Sequence, residues 1–221
     1  GCPFSCAYCD QGYFWPAVGF RPVNHVIDEL LDLSKKTETG SLIYINDNIF
    51  NLNKKRTRAI CKAIVKSEID CSFTSDLHPK FINRETIKEL YNANFVKINL
   101  GFEDSNNAVL SKLNRNVRFE EVLRSAILVK KHSDLLVTAY WITGLPGSTR
   151  VTLQNNLLRI EKILSTGLVD IIANKLFVPY PGTPIFTRPH QFGVQLTSKK
   201  WEKYDRLGFP LTYKLENMSG Y

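Results

Sequence analysis

Short apolar runs alternate with longer amphipathic stretches along most of this chain. The apolar runs are rich in Ile, Val, Leu and Phe, as expected of strands that are buried on both faces. They lie at residues 41–46, 70–75, 95–102, 135–142 and 170–178. The amphipathic stretches have the spacing of helices and lie at residues 23–36, 54–67, 83–94, 119–132 and 149–165. This alternation predicts βα units and a parallel sheet in an α/β fold.

Composition supports one sizeable globular core. The chain has 221 residues, of which 43% are hydrophobic, and this is an ordinary size for an α/β domain. It contains no apolar run of about 18 residues, so we expect no membrane span. We likewise expect no signal peptide before the first cysteines. Reduced thiols then favour a cytoplasmic location.

The net charge of +8 has two interpretations. It could attract anionic partners such as nucleic acid, phosphates or an acidic reductase. It could equally be solvated surface, because the lysine pairs are spread along the predicted helices. No basic–aromatic cluster of the RNA-binding type is visible. We therefore favour solvated surface and expect no nucleic-acid partner.

Three cysteines stand close together at the start of the chain. Cys2, Cys6 and Cys9 have the spacing C-x3-C-x2-C, and three thiolates can hold three corners of a cubane iron–sulfur cluster while one iron stays open. A structural zinc site needs four protein ligands, and neither Cys61 nor Cys71 lies at a suitable spacing. Five cysteines are too few for a disulfide scaffold. The pattern favours an iron–sulfur site, with zinc or free thiols as the alternatives.

The sequence around these cysteines resembles one family. The run Gly-Cys-Pro-Phe-x-Cys-x-Tyr-Cys-Asp resembles the radical S-adenosylmethionine (SAM) superfamily, in the branch whose members carry an upstream cobalamin-binding domain. The resemblance implies a 4Fe–4S cluster on Cys2, Cys6 and Cys9, with Tyr8 among the cofactor-binding residues. It also implies that the open iron chelates SAM, which is cleaved to a 5′-deoxyadenosyl radical. The protein orients and shields such cofactors.

The resemblance also implies a partial (βα)6 barrel. A cluster loop at the mouth of such a barrel should follow a strand, whereas this one follows a single glycine. We therefore expect a first strand, and a cobalamin domain, upstream of Gly1. The expected division is a radical SAM core over residues 1–187, truncated at its N-terminus, and a C-terminal extension or cap over residues 188–221.

Polar residues follow the predicted strands, where parallel α/β sheets bind ligands. The resemblance implies that Asp47 lies near the SAM amino group, although this residue could equally form an Asx turn in the following loop. The resemblance also implies that Asp76 faces the barrel mouth and supports SAM. His78 could contact substrate or simply fix the loop before a proline, and we do not count it among the site residues.

Two later strand ends match further family elements. Glu103 follows Gly101 in a Gly-x-Glu segment that is similar to one that hydrogen-bonds SAM. The resemblance implies that Arg115 pairs with the SAM carboxylate, a role that suits a planar guanidinium. It also implies that Ile142 packs on adenine and that Gly144 allows close backbone approach. The chain departs from the family patterns at Tyr140 and Ser148, so no role is assigned there.

The segment over residues 179–184, Pro-Tyr-Pro-Gly-Thr-Pro, strongly resembles a strand-end segment of the cobalamin-linked radical SAM enzymes. In that branch, methyl transfer to an unactivated carbon is common, and we expect it here, with cobalamin bound upstream. A cyclase, dehydratase or rearrangement enzyme without methyl transfer is the nearest alternative. A tRNA-modifying methylthiotransferase is a further alternative, but such enzymes need a second cluster on three more cysteines, which Cys61 and Cys71 cannot supply. A non-enzymatic metal-binding module is the remaining alternative.

The resemblance implies partners as well as cofactors. We expect a small-molecule or peptide substrate and a reductant of the flavodoxin or ferredoxin type. Substrate contacts come from loops and flanking domains, and a fold does not dictate a substrate. No catalytic residue beyond the cofactor-binding set is therefore predicted.

Overall fold

A curled sheet of parallel strands forms the centre of the protein. The computed structural model describes residues 1–15, 17–205 and 211–218. Five parallel strands follow one another in the order β1-β2-β3-β4-β5 and curl into a half-barrel. They are β1 Leu42–Ile45, β2 Ser72–Leu77, β3 Phe95–Glu103, β4 Leu136–Thr143 and β5 Ile171–Leu176. The predicted α/β fold with a partial parallel barrel is confirmed.

Helices precede, connect and follow these strands. They are α1 Gln11–Phe14, α2 Val23–Lys36, α3 Lys54–Lys66, α4 Arg84–Asn92, α5 Asn107–Lys112, α6 Phe119–His132, α7 Arg150–Ser165 and α8 Pro184–Thr187. Several helices begin at a side chain that accepts a backbone N–H, as good N-caps do. Asn53 accepts from Arg56 and Asn83 accepts from Thr86, at 3.0 and 2.9 Å.

The main hydrophobic core lies between the helices and the outer face of the sheet. Strand residues of this face, such as Phe73, Ile98 and Trp141, are almost fully buried. They pack against helix residues such as Ile60 and Val129. Burial of this apolar face stabilises the curl of the sheet, and it leaves the inner face free for polar residues. No helix in the described ranges is both long and apolar enough to cross a membrane.

The predicted and observed elements differ mainly at strand ends. The strand predicted at residues 70–75 runs over Ser72–Leu77, so that Asp76 lies within it. The predicted strand ended before Asp76 because this residue is polar, but its side chain faces the polar interior of the half-barrel. The short helix α5 was not predicted, because six residues are too few to show a helical period.

The C-terminal segment packs against the cysteine loop. Strands β6 Val194–Leu196 and β7 Tyr213–Leu215 pair antiparallel. Short 3₁₀ turns of this segment lie at Pro189–Phe192, Trp201–Lys203 and Glu216–Met218, and a further one, at Pro79–Phe81, follows β2. The two strands share a second apolar cluster with Ala7, Leu113 and Leu145. Part of the predicted extension, residues 206–210 and 219–221, lies outside the described residues. The domain boundary at residue 187 stays a prediction.

Candidate functional site

One open cavity at the carboxyl ends of β2, β3 and β4 brings the cysteine loop and the strand ends together. Cys2, Cys6 and Cys9 all line it. The other lining residues are mostly polar or aromatic and include Phe4, Tyr8, Gln11, Asn48, Asp76, His78, Asn99, Gly101, Glu103, Arg115 and Tyr140. Residues that are up to 138 positions apart in sequence (Cys2 to Tyr140) thus meet at one end of the half-barrel.

Hydrogen bonds to the segment after α5 hold the cysteine loop. The backbone N–H of Ala7 donates to the carbonyl of Leu113 at 2.8 Å. The side-chain amide of Asn114 donates to the carbonyl and hydroxyl oxygens of Ser5, at 3.0 and 2.7 Å. Asn114 has a φ of 54°, in the left-handed region that asparagine tolerates better than most residues. A loop with no regular structure between Cys2 and Cys9 is therefore anchored on both sides of Cys6.

An aromatic stack anchors the same loop to the residue that follows β2. The ring of Phe4 lies parallel to the imidazole of His78, with centroids 4.4 Å apart and planes at 15°. The amide side chain of Asn51 holds the backbone of His78 on both its N–H and its carbonyl. Burial, with smaller effects of the charges on Arg115 and Lys80, lowers the pKa of His78 to about 3. The imidazole is therefore neutral near neutral pH and suited to stacking.

Three thiols on one loop are the kind of ligand set that holds an iron–sulfur cluster. All five cysteines are free, and the described residues contain no His, Cys, Asp or Glu group that surrounds one metal position. A cubane cluster binds each cysteine to a different iron, so its ligands need not converge on one point. Burial raises the pKa of Cys9 to about 11, and the neighbouring Cys6 and Cys2 add to this. Iron would bind these cysteines as thiolates and balance their negative charge.

Glu103 and Arg115 form the charged side of the cavity. Their nearest polar atoms are 4.0 Å apart, and the Arg115 guanidinium donates to the carbonyl of Gly101 at 2.9 Å. Burial raises the pKa of the Glu103 carboxyl, and Arg115 offsets part of this effect. Burial also opposes the charge of Arg115, but Tyr8, Glu103 and Cys6 together hold its pKa above the ordinary value. Arg115 therefore stays a cation beside the cysteine loop.

Gly101 lies against the ends of these two charged side chains. A Cβ on Gly101 would crowd a Glu103 carboxylate oxygen and an Arg115 guanidinium nitrogen, so that both side chains would have to shift. Glu103 itself has a φ of 62°, which costs about 1 kcal/mol or more for a residue with a side chain. The strained backbone turns the carboxylate toward Arg115 and into the cavity, which is an arrangement suited to a zwitterionic ligand.

Asp76 lies in the interior of the half-barrel, where three donors surround it. The Tyr44 phenol and the Asn99 side-chain amide each donate to the Asp76 carboxylate at 2.8 Å, and the Tyr140 phenol donates at 3.3 Å. Of these four residues only Asp76 was predicted as a site residue. The other three could have been found from strand alternation, since each lies directly next to a strand residue that packs on the core, such as Ile43, Ile98 or Trp141.

Three predicted residues lie outside the lining of this cavity. Asp47 lines a separate cavity between α2, β1 and α3, and its carboxylate accepts the N–H of Ile49 at 3.3 Å, as in an Asx turn. Ile142 packs on the second apolar cluster. Gly144 has a φ of 84°, and its carbonyl accepts the Tyr213 hydroxyl at 3.1 Å. The roles of these residues toward SAM stay predictions.

Comparison with known families gives one match that covers most of the chain. The profile of the Radical SAM superfamily matches residues 1–159, a range that includes Cys2, Cys6, Cys9, Glu103 and Arg115.

Individual relatives are distant. The chain is 25% identical over 207 residues to the anaerobic magnesium-protoporphyrin IX monomethyl ester cyclase of Rubrivivax gelatinosus, with 93% of this chain and 36% of that protein covered. It is 28% identical over 216 residues to the tRNA-2-methylthio-N(6)-dimethylallyladenosine synthase of Bdellovibrio bacteriovorus, with 94% and 46% covered. The chain thus spans less than half the length of these relatives.

A solved structure shares the fold. The radical SAM methyltransferase TsrM from Kitasatospora setae, solved with cobalamin and a [4Fe-4S] cluster bound, superposes with a TM-score of 0.73. The two chains are 19% identical, and the match covers 90% of this chain and 41% of TsrM. This likeness supports the half-barrel architecture.

Because folded His78 is neutral, we expect it to make the unfolding free energy depend on pH. The ordinary histidine pKa of about 6.5 in the unfolded chain lies above the value of about 3 in the folded chain. Below pH 6.5 the unfolded chain therefore binds the extra proton, and stability falls as the pH decreases. Between pH 7.5 and 5.5 we expect His78 to cost the wild type roughly 1 kcal/mol of unfolding free energy, and His78→Phe to lose this dependence.

Urea unfolding of the cluster-free chain at the two pH values measures this difference. The exposed His25 provides the control, because His25→Phe should keep the wild-type pH dependence. An equal dependence in wild type and His78→Phe would show that folded His78 takes up a proton as readily as the unfolded chain.

Proposed function

Because the chain belongs to the Radical SAM superfamily, we propose that it is the core of an enzyme that cleaves S-adenosylmethionine with a 4Fe–4S cluster. The observation that carries this proposal is the shared cavity. Three free thiols, the Glu103 carboxylate and the Arg115 guanidinium line one opening at the carboxyl ends of the strands.

Each of these groups has a role in the proposal. Cys2, Cys6 and Cys9 would hold the cluster, and Tyr8 would shield it. Arg115 would pair with the SAM carboxylate, and Glu103 would accept from the amino group or the ribose hydroxyls. Gly101 keeps the space between them open. When bound, the cluster and SAM supply a 5′-deoxyadenosyl radical, and a methylated cobalamin would supply a methyl group.

We further propose that the reaction is cobalamin-dependent methylation of an unactivated carbon. The cysteine-loop sequence and the proline-rich segment over residues 179–184 support this, as does the description of the fold neighbour TsrM as a methyltransferase with bound cobalamin. The cobalamin would be held by residues outside this chain. A small-molecule or peptide substrate, a flavodoxin- or ferredoxin-type reductant and a cytoplasmic location complete the proposal.

Radical chemistry without methyl transfer is the second candidate. The match to an anaerobic cyclase over 93% of the chain favours it. Methylthiolation, the activity named for the Bdellovibrio relative, would need a second cluster. Cys61 and Cys71 do not line the cavity and are both about 1% exposed, so this chain offers no cysteines for one within its described residues.

The cluster assignment is tested by single cysteine substitutions. After anaerobic reconstitution we expect about four irons per wild-type chain and dithionite-dependent release of 5′-deoxyadenosine. Cys2→Ala, Cys6→Ala and Cys9→Ala should each lose most of the iron and all of the cleavage. Cys61→Ala is the control and should keep both. Bound zinc without SAM cleavage would instead support a metal-binding module.

Arg115 is tested by its conservative replacement. Arg115→Lys keeps the charge but loses the planar pair of donors, and we expect SAM affinity to fall about tenfold, as the loss of one charge-assisted hydrogen bond predicts. Titration calorimetry of the reconstituted protein measures the affinity, and iron analysis shows whether the cluster is intact. Arg118→Lys, an exposed position, is the matched control. Unchanged affinity in Arg115→Lys would contradict a carboxylate-binding role.

Methyl transfer is tested on a protein that joins this chain to the proposed cobalamin-binding region. We expect that protein to bind about one cobalamin per chain and to convert its substrate to a product heavier by one methyl group, with the label carried from methyl-labelled SAM. Absorption spectroscopy and mass spectrometry provide the two readouts. Turnover without bound cobalamin and without label in the product would support the second candidate.

A further inference from the structure

The interior of the half-barrel contains a hydrogen-bonded group that the cluster cysteines, Glu103 and Arg115 leave unused, and for Asp76 the inference replaces the SAM contact that the family resemblance implies. We propose that Tyr44, Asp76, Asn99 and Tyr140, named here the lumen cluster, bind a protonated amine or a similarly donor-rich N–H group of the substrate. This inference rests on the proposed function for the identification of the ligand as a substrate.

Strand register places the lumen cluster on one face of the sheet. Asp76 on β2 pairs with Asn99 on β3, and paired residues of parallel strands point to the same side. Tyr44 pairs with Thr74, two residues before Asp76. Tyr140 pairs with Gly101, two residues after Asn99. All four side chains therefore face the interior, and Asp76, Asn99 and Tyr140 line the cavity beside the cysteines.

The hydrogens and lone pairs of the lumen cluster indicate which kind of ligand it can bind. Tyr44, Asn99 and Tyr140 each direct a hydrogen toward Asp76, at 2.8, 2.8 and 3.3 Å. Both phenol oxygens and the Asn99 carbonyl oxygen then keep lone pairs, and the carboxylate has about four acceptor positions. The remaining capacity is therefore mostly for accepting hydrogen bonds. A group that brings several N–H donors satisfies it.

Charge favours a cationic donor. Glu103 has Arg115 as its cation, but within the described residues Asp76 forms no ion pair with any lysine, arginine or histidine. Its partners are neutral, because burial and the neighbouring Asp76 raise the pKa of the Tyr140 phenol to about 12. Lys97 and Lys175 lie on the same interior face, but neither forms an ion pair with Asp76 within the described residues. A carboxylate with neutral donors as its direct partners can therefore still attract a ligand cation.

Two buried hydroxyls extend this polar face. Thr74 and Thr138 are 2% and 4% exposed, and their hydroxyl oxygens have no hydrogen-bond partner within the described part of the chain. Thr74 lies two residues before Asp76, and Thr138 pairs with Asn99, so both lie on the interior face. Buried hydroxyls without partners are uncommon and costly. They add polar character beside the lumen cluster, although their oxygens are themselves covered by protein atoms.

The depth of Asp76 distinguishes this site from the expected SAM contacts. Asp76 pairs with Asn99, and Glu103 lies four residues further along β3, toward the carboxyl end. Asp76 is thus deeper in the half-barrel than the Glu103–Arg115 pair. A substrate amine bound there lies below the cofactors, with its neighbouring atoms turned toward them.

The test uses NMR of the full 221-residue chain with ¹³Cζ-labelled tyrosine, reconstituted anaerobically. The probe is n-butylammonium chloride, and 1-butanol is the neutral probe of similar size. Tyr44→Phe and Tyr140→Phe assign the two signals, and Tyr91→Phe, an exposed tyrosine on α4, is the control variant. We expect the Tyr44 and Tyr140 signals to shift with butylammonium, to saturate in the millimolar range, and not to shift with butanol.

Asp76→Asn keeps the shape of the side chain but removes the charge, and we expect the affinity for butylammonium to fall at least about tenfold. If circular dichroism shows that this variant is unfolded, the double variant Tyr44→Phe/Tyr140→Phe is used with the Asn99 side-chain ¹⁵N signal, and it should weaken binding about fivefold or more. Equal shifts with both probes, or unchanged affinity in a folded variant, would overturn the proposal.

The same samples keep this test separate from that of the proposed function. Iron content and SAM cleavage of the wild-type protein are measured beside the titration. Amine binding without SAM cleavage would contradict the proposed function and support a cation site. SAM cleavage without amine-specific shifts would leave the proposed function in place and overturn the lumen cluster as an amine site.

Discussion

The anchoring of the cysteine loop is the constraint on which the rest of the site depends. Residues 2–9 form no helix or strand, so their backbone groups need partners elsewhere. Leu113 and Asn114 supply such partners on one side of the cavity. On the other side, the stack of Phe4 on His78 holds the loop. Each contact is worth only about 1 kcal/mol. Together they hold the three thiols at one opening, whereas an unanchored loop would not fix their positions.

The strands divide the chemistry of the protein between their two faces. On β3 the outward residues Ile98, Leu100 and Phe102 are fully buried against helices, while the alternate residues Asn99 and Glu103 face the interior. A strand buried on its outer face can then carry polar residues on its inner face without losing the core. This explains how a single β-strand contributes both to the stability of the half-barrel and to the site.

Most of the fold could be predicted from the sequence, because apolar runs and amphipathic helices repeat clearly and parallel βα units have few alternatives. The helices over residues 23–36 and 119–132 were predicted with their observed ends. The metal-ligand candidates were also evident, since three cysteines lie within eight residues of one another. These features are local in sequence, and local patterns carry most of the information that a single sequence offers.

The contacts that were not predicted are long-range. The pairing of Asn114 with Ser5 spans 109 residues, and the bond from Tyr140 to Asp76 spans 64. No pattern in either segment specifies its partner.

The same limit applies to the Tyr213 hydroxyl, which donates to Gly144 from a hairpin 69 residues away. A Cβ on Gly144 would lie 2.7 Å from that hydroxyl oxygen. Gly144 is therefore constrained twice, by its positive φ and by Tyr213, before any cofactor is considered. A glycine in a family motif can thus be required by packing alone, and its presence in the motif does not by itself demonstrate contact with a ligand.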